Sequence, residues 1–214
     1  MLERVINNLK SFGFTDITVN IHHFGQQIID FAKANNNFGI DLHISDERDM
    51  LLDTGGGILK ARKFLDGNEP FLVHNADILT DLNLLDIYNY HMHHKAMATL
   101  LVKSRDTARY LLFDDAMSLK GWTNIKTNDV RPSSLTLNDI EQYRKLAFGG
   151  IHVISPEIFD ALEKHSDTPA FSIIPFYYEN CTNFIIKGYE KTTPYKWLDI
   201  GKPETLAQAQ AEFA

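Results

Sequence analysis

Cysteine is almost missing from this 214-residue chain, which has Cys181 alone. No internal disulfide framework is possible, and the expectation is a reducing, cytoplasmic setting in which Cys181 is a small core or loop residue and not a nucleophile. Long apolar runs are missing too. None approaches the ~20 residues a membrane span needs, and the opening Met1-Leu2-Glu3-Arg4 is amphipathic with no signal-peptide core. Basic runs are absent: 21 Lys and Arg against 28 Asp and Glu leave a formal charge of −7, which argues against nucleic-acid binding through a basic face. A nucleotide is not excluded, because a metal can bring its phosphates to an acidic protein. There is no internal repeat and no low-complexity tail. What remains is an ordinary soluble balance, 44% hydrophobic and 23% charged, in a chain long enough for one sizeable α/β domain.

Leu2, Val5, Ile6 and Leu9 fall at helical spacing, and Gly13 stands where such a helix ends. Asp16–Ile21 reads as a strand, Gln26–Ala32 as a helix and Ile40–Ile44 as a strand near a sheet edge. That succession implies parallel pairing through a right-handed crossover. Leu84–Lys95 reads as a helix and Met97–Val102 as a strand. Tyr110–Phe113 and Leu119–Trp122 form a hairpin around Asp114-Asp115, and Ala147–Ile154 is a strand entered through two glycines. Ser155 and Pro156 look like the cap and first residue of a further helix. Phe171–Tyr178 is helical with Pro175 interrupting or offsetting it. Phe184–Ile186 and Lys196–Gly201 are late strands, and a last helix opens at Pro203 and carries Leu206, Ala207 and Phe213. Residues 104–146 form an insertion covering one side of a cleft within a single domain spanning 1–214.

Three stretches carry candidate chemistry. Phe71-Leu72-Val73-His74-Asn75-Ala76-Asp77 is an apolar strand that ends in a carboxylate. Ligands of open α/β sheets sit outside the carboxyl ends of the strands, so Asp77 either holds a hard cation such as Mg²⁺ or simply opens the next turn. In Asp53-Thr54-Gly55-Gly56-Gly57-Ile58, three glycines run into a helix, leaving bare backbone and free N–H groups for an anion or a base edge; the alternative is a flexible turn. Trp197-Leu198-Asp199-Ile200-Gly201 again ends a strand in a carboxylate. His91, His93 and His94 lack a carboxylate to complete a metal set and read as histidines near a helix C-terminus. Arg105 and Arg109 have the reach for a phosphate, and solvated surface arginines are the plainer account.

In order and spacing, these stretches together with Ala147-Phe148-Gly149-Gly150-Ile151-His152-Val153 resemble the sugar-nucleotidyltransferases, the nucleoside-diphosphate-sugar pyrophosphorylases. The similarity is to the short bacterial branch that includes mannose-1-phosphate guanylyltransferase-like and N-acetylmuramate-1-phosphate uridylyltransferase-like enzymes. It implies a Rossmann-like α/β fold, a mostly parallel mixed sheet flanked by helices. It also implies transfer of an NMP group from an NTP to a sugar-1-phosphate, giving an NDP-sugar and pyrophosphate. By resemblance Asp77 and Asp199 are the catalytic, Mg²⁺-holding pair, Thr54, Gly55 and Gly56 border the nucleobase, Asn75 lies near the nucleoside and Gly150 admits the sugar. Base preference stays open, since Asp53 stands where the family has a longer acid or amide, and a homo-oligomer is left open.

The family's opening strand, its glycine-rich loop with an Arg and its Pro-Lys-Pro segment are not in this sequence; the match begins in the helix that follows them. The expectation is a recorded start internal to a longer reading frame. Without that strand a slot about two strand spacings wide, ~4.8 Å each, opens between Asp16–Ile21 and Phe71–Val73, unless the sheet has closed up or borrowed a strand, and catalysis is expected to be weak or lost. A non-catalytic nucleotide-sugar-binding or regulatory module is the alternative. A glycosyltransferase fits less well, because Ile78, Leu79 and Thr80 separate Asp77 from Asp81.

Overall fold

The computed structural model describes residues 1–201 together with Thr205, Ala209 and Ala211; the expected helix from Pro203 with Leu206, Ala207 and Phe213 lies outside the described residues. The first apolar spacing becomes helix α1 (Leu2–Ser11), which buries Val5, Ile6 and Leu9. Gly13 follows it at φ +89°, a left-handed value that glycine adopts without strain. Strand β1 (Asp16–Ile21), helix α2 (Gly25–Ala34) and strand β2 (Asp41–Asp46) come next, and β1 and β2 pair in parallel with Asp16 opposite Asp41. Helices α3 (Asp53–Lys60) and α4 (Arg62–Leu65) lead to strands β3 (Phe71–His74) and β4 (Ile78–Thr80) and to helix α5 (Leu84–His94).

The large sheet is built on one long strand. After β5 (Ala98–Lys103), β6 (Arg109–Phe113), β7 (Leu119–Asn124) and β8 (Asp129–Arg131), strand β9 (Arg144–Ile154) runs antiparallel to β5, to β3 and to β6. Helices α6 (Ile158–Leu162) and α7 (Ile173–Asn180) precede β10 (Ile186–Tyr189), which pairs in parallel with β5, and β11 (Trp197–Asp199), which forms an antiparallel ribbon with β4. The strand order is β10-β5-β9-β6-β7-β8 with β3 on β9. The sheet is mixed as expected, and β3 runs parallel to β5 across β9. Antiparallel ladders nevertheless outnumber parallel ones among the described residues, because β9 reverses between β3 and β5 and the 109–131 strands form a meander.

Strand alternation covers both faces. Ala98, Leu100 and Val102 pack with Ile158, Phe159, Phe176 and Tyr177, while Leu101, Ile151 and Val153 pack with Val5, Ile6, Ile17 and Ile87. The pair β1–β2 stays separate from the large sheet. Thus β1 has only β2 as a strand partner and β3 only β9 among the described residues. The flanks of the expected slot are unpaired with one another, and a cleft lined by Arg4, Val5, Asn8, His74 and Thr80 opens between α1, the end of β3 and β4.

Local differences have local causes. Ser155 does not cap a helix: its hydroxyl donates to the Ala96 carbonyl (2.8 Å) and meets His91 Nε2 (3.0 Å), and α6 begins three residues later. Pro175 does not interrupt α7, because it is the third residue of that helix, where its missing N–H has no intrahelical carbonyl to meet. His91 is a core residue held between Thr99 Oγ1 and Ser155 Oγ, both at 3.0 Å.

Two buried imidazoles make the fold acid-sensitive. Burial pushes His91 down to about 4 and His152 to about 3, the latter sharing a 2.7 Å hydrogen bond with the Tyr177 hydroxyl. Their folded values lie below the ~6.5 of an unfolded chain, so the unfolded state binds the extra protons in acid. Stability is full above pH 6.5 and is lost as the pH falls through 6 towards 4, by on the order of 2–4 kcal/mol in all over that span. Urea midpoints measured from pH 7.5 to 4.5 should fall, and His91→Gln should flatten part of the slope. A level profile contradicts this account.

Candidate active site

The β4–β11 ribbon joins the two candidate carboxylates. Asp199 pairs with Ile78, the residue after Asp77, and the Ile200 N–H donates to the Asp77 carbonyl (2.9 Å). The Gly201 N–H donates to Asp199 Oδ1 (2.9 Å). A Cβ added at Gly201 would lie 3.2 Å from Asp199 Oδ1 and 3.5 Å from Asp77 Oδ2, so both oxygens overhang the same glycine. Burial, and then the charge of Asp199, pushes the Asp77 carboxyl above its ordinary range. No Lys or Arg forms an ion pair with either acid among the described residues.

Asn75 and Gly150 meet beside this pair. The Asn75 N–H donates to the Gly150 carbonyl (2.9 Å). Gly150 has φ +75°, and a Cβ there would fall 2.8 Å from Ile78 Cγ1 and 3.3 Å from Asn75 Nδ2. Glycine is required on both counts. Trp197, two residues before Asp199, donates from Nε1 to the Gly149 carbonyl (2.8 Å). Asp77, Asp199, Asn75 and Gly150 thus share one edge of the molecule.

The glycine run behaves differently from the expectation. Gly55, Gly56 and Gly57 are buried inside α3 and form no open turn. The N–H groups expected to be free are taken: Gly55 and Gly56 both donate to the Phe171 carbonyl, at 2.8 and 3.2 Å. The Thr54 hydroxyl accepts from the Ile173 N–H (3.0 Å) at the start of α7. The close backbone approach permitted here is that of Pro169–Phe171. On its other side α3 meets Asn20 and Glu47, whose Nδ2 and Oε1 stand 2.6 and 2.8 Å from a Cβ added at Gly57. Buried Glu47 in turn accepts from the Leu52 N–H (3.1 Å). No local pattern announces Glu47 or Phe171 as partners of the glycines, since both act from other parts of the chain.

The remaining candidates stay structural. Cys181 is free, donates from Sγ to the Tyr178 carbonyl (3.2 Å) and has its thiol pushed up by burial, the reverse of an activated nucleophile. No group of three or more His, Cys, Asp or Glu forms a metal cage among the described residues. No helix there is long and apolar enough to cross a membrane.

A family model described as Nucleotidyl transferase matches residues 1–214. The chain is 28% identical over 204 residues to an N-acetylmuramate alpha-1-phosphate uridylyltransferase of Neisseria meningitidis serogroup B, covering 95% of this chain and 80% of that one. It is 23% identical over 208 residues to a probable mannose-1-phosphate guanylyltransferase 3 of Oryza sativa subsp. japonica; there it covers 95% of itself and 53% of the relative, about half its length. HddC from Yersinia pseudotuberculosis superposes with a TM-score of 0.76 at 19% identity, over 100% of this chain and 85% of that one. A putative glucose-1-phosphate thymidylyltransferase from Bacillus anthracis gives 0.77 at 15%, over 98% and 80%. At those identities the structures speak for the fold. With the family match running the full length of the sequence, the chain belongs to the nucleotidyl transferase family.

Proposed function

We propose that the chain transfers an NMP group from an NTP to a sugar-1-phosphate. An oxygen of the sugar phosphate attacks the α-phosphorus, the bond to the bridging oxygen of the β-phosphate breaks, and pyrophosphate leaves with that electron pair. The observation that carries this reading is the convergence of Asp77 and Asp199 over Gly201. Two carboxylates with no cation paired to them among the described residues suit a magnesium ion, which takes one or two protein carboxylates and completes its shell with water and phosphate oxygens. Asp77 and Asp199 would hold it, and when bound it supplies charge neutralisation at the phosphates. Asn75 lies on the nucleoside side and Gly150 gives the sugar room. Thr54, Gly55 and Gly56 border the base once the Pro169–Phe171 segment releases them. Residues 1–214 form one domain in this reading, with 104–146 on the sugar side. A cytoplasmic location suits free Cys181 and supplies both substrates.

The test is pyrophosphate release from UTP or GTP with N-acetylmuramate 1-phosphate, mannose 1-phosphate or glucose 1-phosphate. Slow release with one pair, abolished by EDTA, is the expected result. Calorimetry with the matching NDP-sugar runs beside it. Binding without turnover selects the non-catalytic module, a reading favoured by the engagement of Thr54, Gly55 and Gly56 by residues 171 and 173. Neither release nor binding with any pair removes both.

A further inference from the structure

Two basic side chains stand at the Gly149–Gly150 end, Lys103 and the Arg105 whose reach for a phosphate the sequence suggested. Lys103 ends β5 opposite Ala147 of β9, and Arg105 follows in the loop towards β6. Both converge on one indole. Lys103 Nζ lies 4.5 Å from the Trp197 ring centroid and 5.3 Å from that of Tyr195, and Arg105 Cζ lies 5.3 Å from the Trp197 ring. Trp197 is pinned by its bond to the Gly149 carbonyl. Residues i and i+2 of a strand share a face, so Trp197 presents to the same side of β11 as Asp199.

Neither cation is neutralised by an acid among the described residues. Lys103 and Arg105 make no ion pair among the described residues, and Arg105 has one long hydrogen bond, Nη2 to the Phe148 carbonyl at 3.4 Å. Acids are not scarce, for the chain has 28 against 21 bases. Elsewhere they are used: Arg62 meets Asp66, Asp160 and Glu163, Arg144 meets Glu190, and Lys191 meets Asp86. Burial, and then Arg105, pushes the Lys103 ammonium below its ordinary range. An anion shared by the two would relieve their repulsion. A guanidinium offers a phosphate two parallel donors and an ammonium adds a point charge.

We propose that Lys103 and Arg105, seated on Trp197, form an anion subsite that takes the phosphate of the sugar-1-phosphate on the Gly149–Gly150 side of Asp77 and Asp199. This rests on the transferase reading and adds residues that the family resemblance did not supply. The phosphates of the nucleotide are the other source of the same chemistry. The acceptor is favoured because Trp197 ties the cations to Gly149, next to the glycine assigned to the sugar, whereas Thr54, Gly55 and Gly56 lie in α3 against Phe171 and Ile173.

Binding is measured without turnover, so this inference and the transferase reading fail separately. Calorimetry on the unaltered chain, and emission of a Trp122→Phe variant in which Trp197 is the remaining indole, are titrated with mannose 1-phosphate, glucose 1-phosphate, inorganic phosphate, free mannose and UTP. A hexose 1-phosphate should bind saturably and shift Trp197 emission, and free mannose should not. Lys103→Ala and Arg105→Ala should each weaken that binding about tenfold or more, Lys103→Arg should restore most of it, and UTP affinity should move less than about threefold. Unchanged hexose-phosphate binding in the double alanine variant, or no saturable binding by the unaltered chain, overturns the proposal. So does a loss confined to UTP, which would assign the cations to the nucleotide. If the sugar phosphate binds as described but no pair releases pyrophosphate, the subsite stands and the transferase reading falls.

Discussion

Asp77→Asn and Asp199→Asn are each expected to cut pyrophosphate release by at least about 10²-fold, the scale on which losing a charge-stabilising group acts in phosphoryl and acyl transfer. The loss should appear in kcat more than in KM for the sugar phosphate, because the carboxylates are argued to hold the ion that meets charge developing at the reacting phosphorus. Stability should move the other way. Burial and Asp199 both disfavour the ionised form of Asp77, so an uncharged amide there removes a repulsion. Asp77 stands at an exposed position, where solvent screens most of that repulsion, and the gain is a few tenths of a kcal/mol. A thermal midpoint equal to or slightly above that of the parent, with activity gone, distinguishes a functional carboxylate pair from a structural one. Near-parental turnover in either variant would falsify the assignment, and a large drop in midpoint would mean that the acid holds the β4–β11 ribbon together instead.

The two acids were legible in the sequence because each follows an apolar run, and strand ends are where open sheets put their ligands; Asp199 does end β11, whereas β3 stops at His74 and Asp77 lies in the turn into β4. Their contact was not legible from local pattern: β4 has three residues and β11 three, too short to show alternation, and only the family resemblance placed Asp77 and Asp199 together. The early elements were readable for the opposite reason. Strand β1 has the expected ends, and α1 carries its apolar residues at strict helical spacing. The error at the glycine run is instructive. Glycines ahead of a helix allow something to come close, but the sequence does not say what comes. Here it is Pro169–Phe171, more than a hundred residues further along the chain. Lys103 is a similar case, since nothing local marks a lysine at a strand end as the neighbour of Arg105 on an indole supplied by β11.

Gly56→Ala should destabilise the fold by about 2 kcal/mol or more, lowering the thermal midpoint by roughly 4–8 °C for a chain of this size. In an exposed helix the same change is favourable by up to about 1 kcal/mol, because alanine is the better helix former. At Gly56 that gain is overwhelmed: a Cβ would lie 2.1 Å from the Pro169 carbonyl oxygen and 3.1 Å from Leu52 Cβ. The obstacle is backbone, so no rotamer change removes it. Either α3 shifts away from residues 169–171, breaking the bonds from Gly55 and Gly56 to the Phe171 carbonyl, or that segment leaves the helix. Gly55→Ala should be milder, because its nearest neighbours at 2.4 and 2.5 Å belong to the Phe171 ring, which can turn at some cost in packing. Gly67→Ala is the control: nothing lies within 4 Å of its added Cβ, and the change should be neutral or stabilising by a few tenths of a kcal/mol through the unfolded chain. The order Gly56 worst, Gly55 intermediate and Gly67 harmless follows from contact alone. A Gly56→Ala protein as stable as its parent would show that α3 and the Pro169–Phe171 segment do not pack as described. In that case the route by which a base reaches Thr54, Gly55 and Gly56 would already be open.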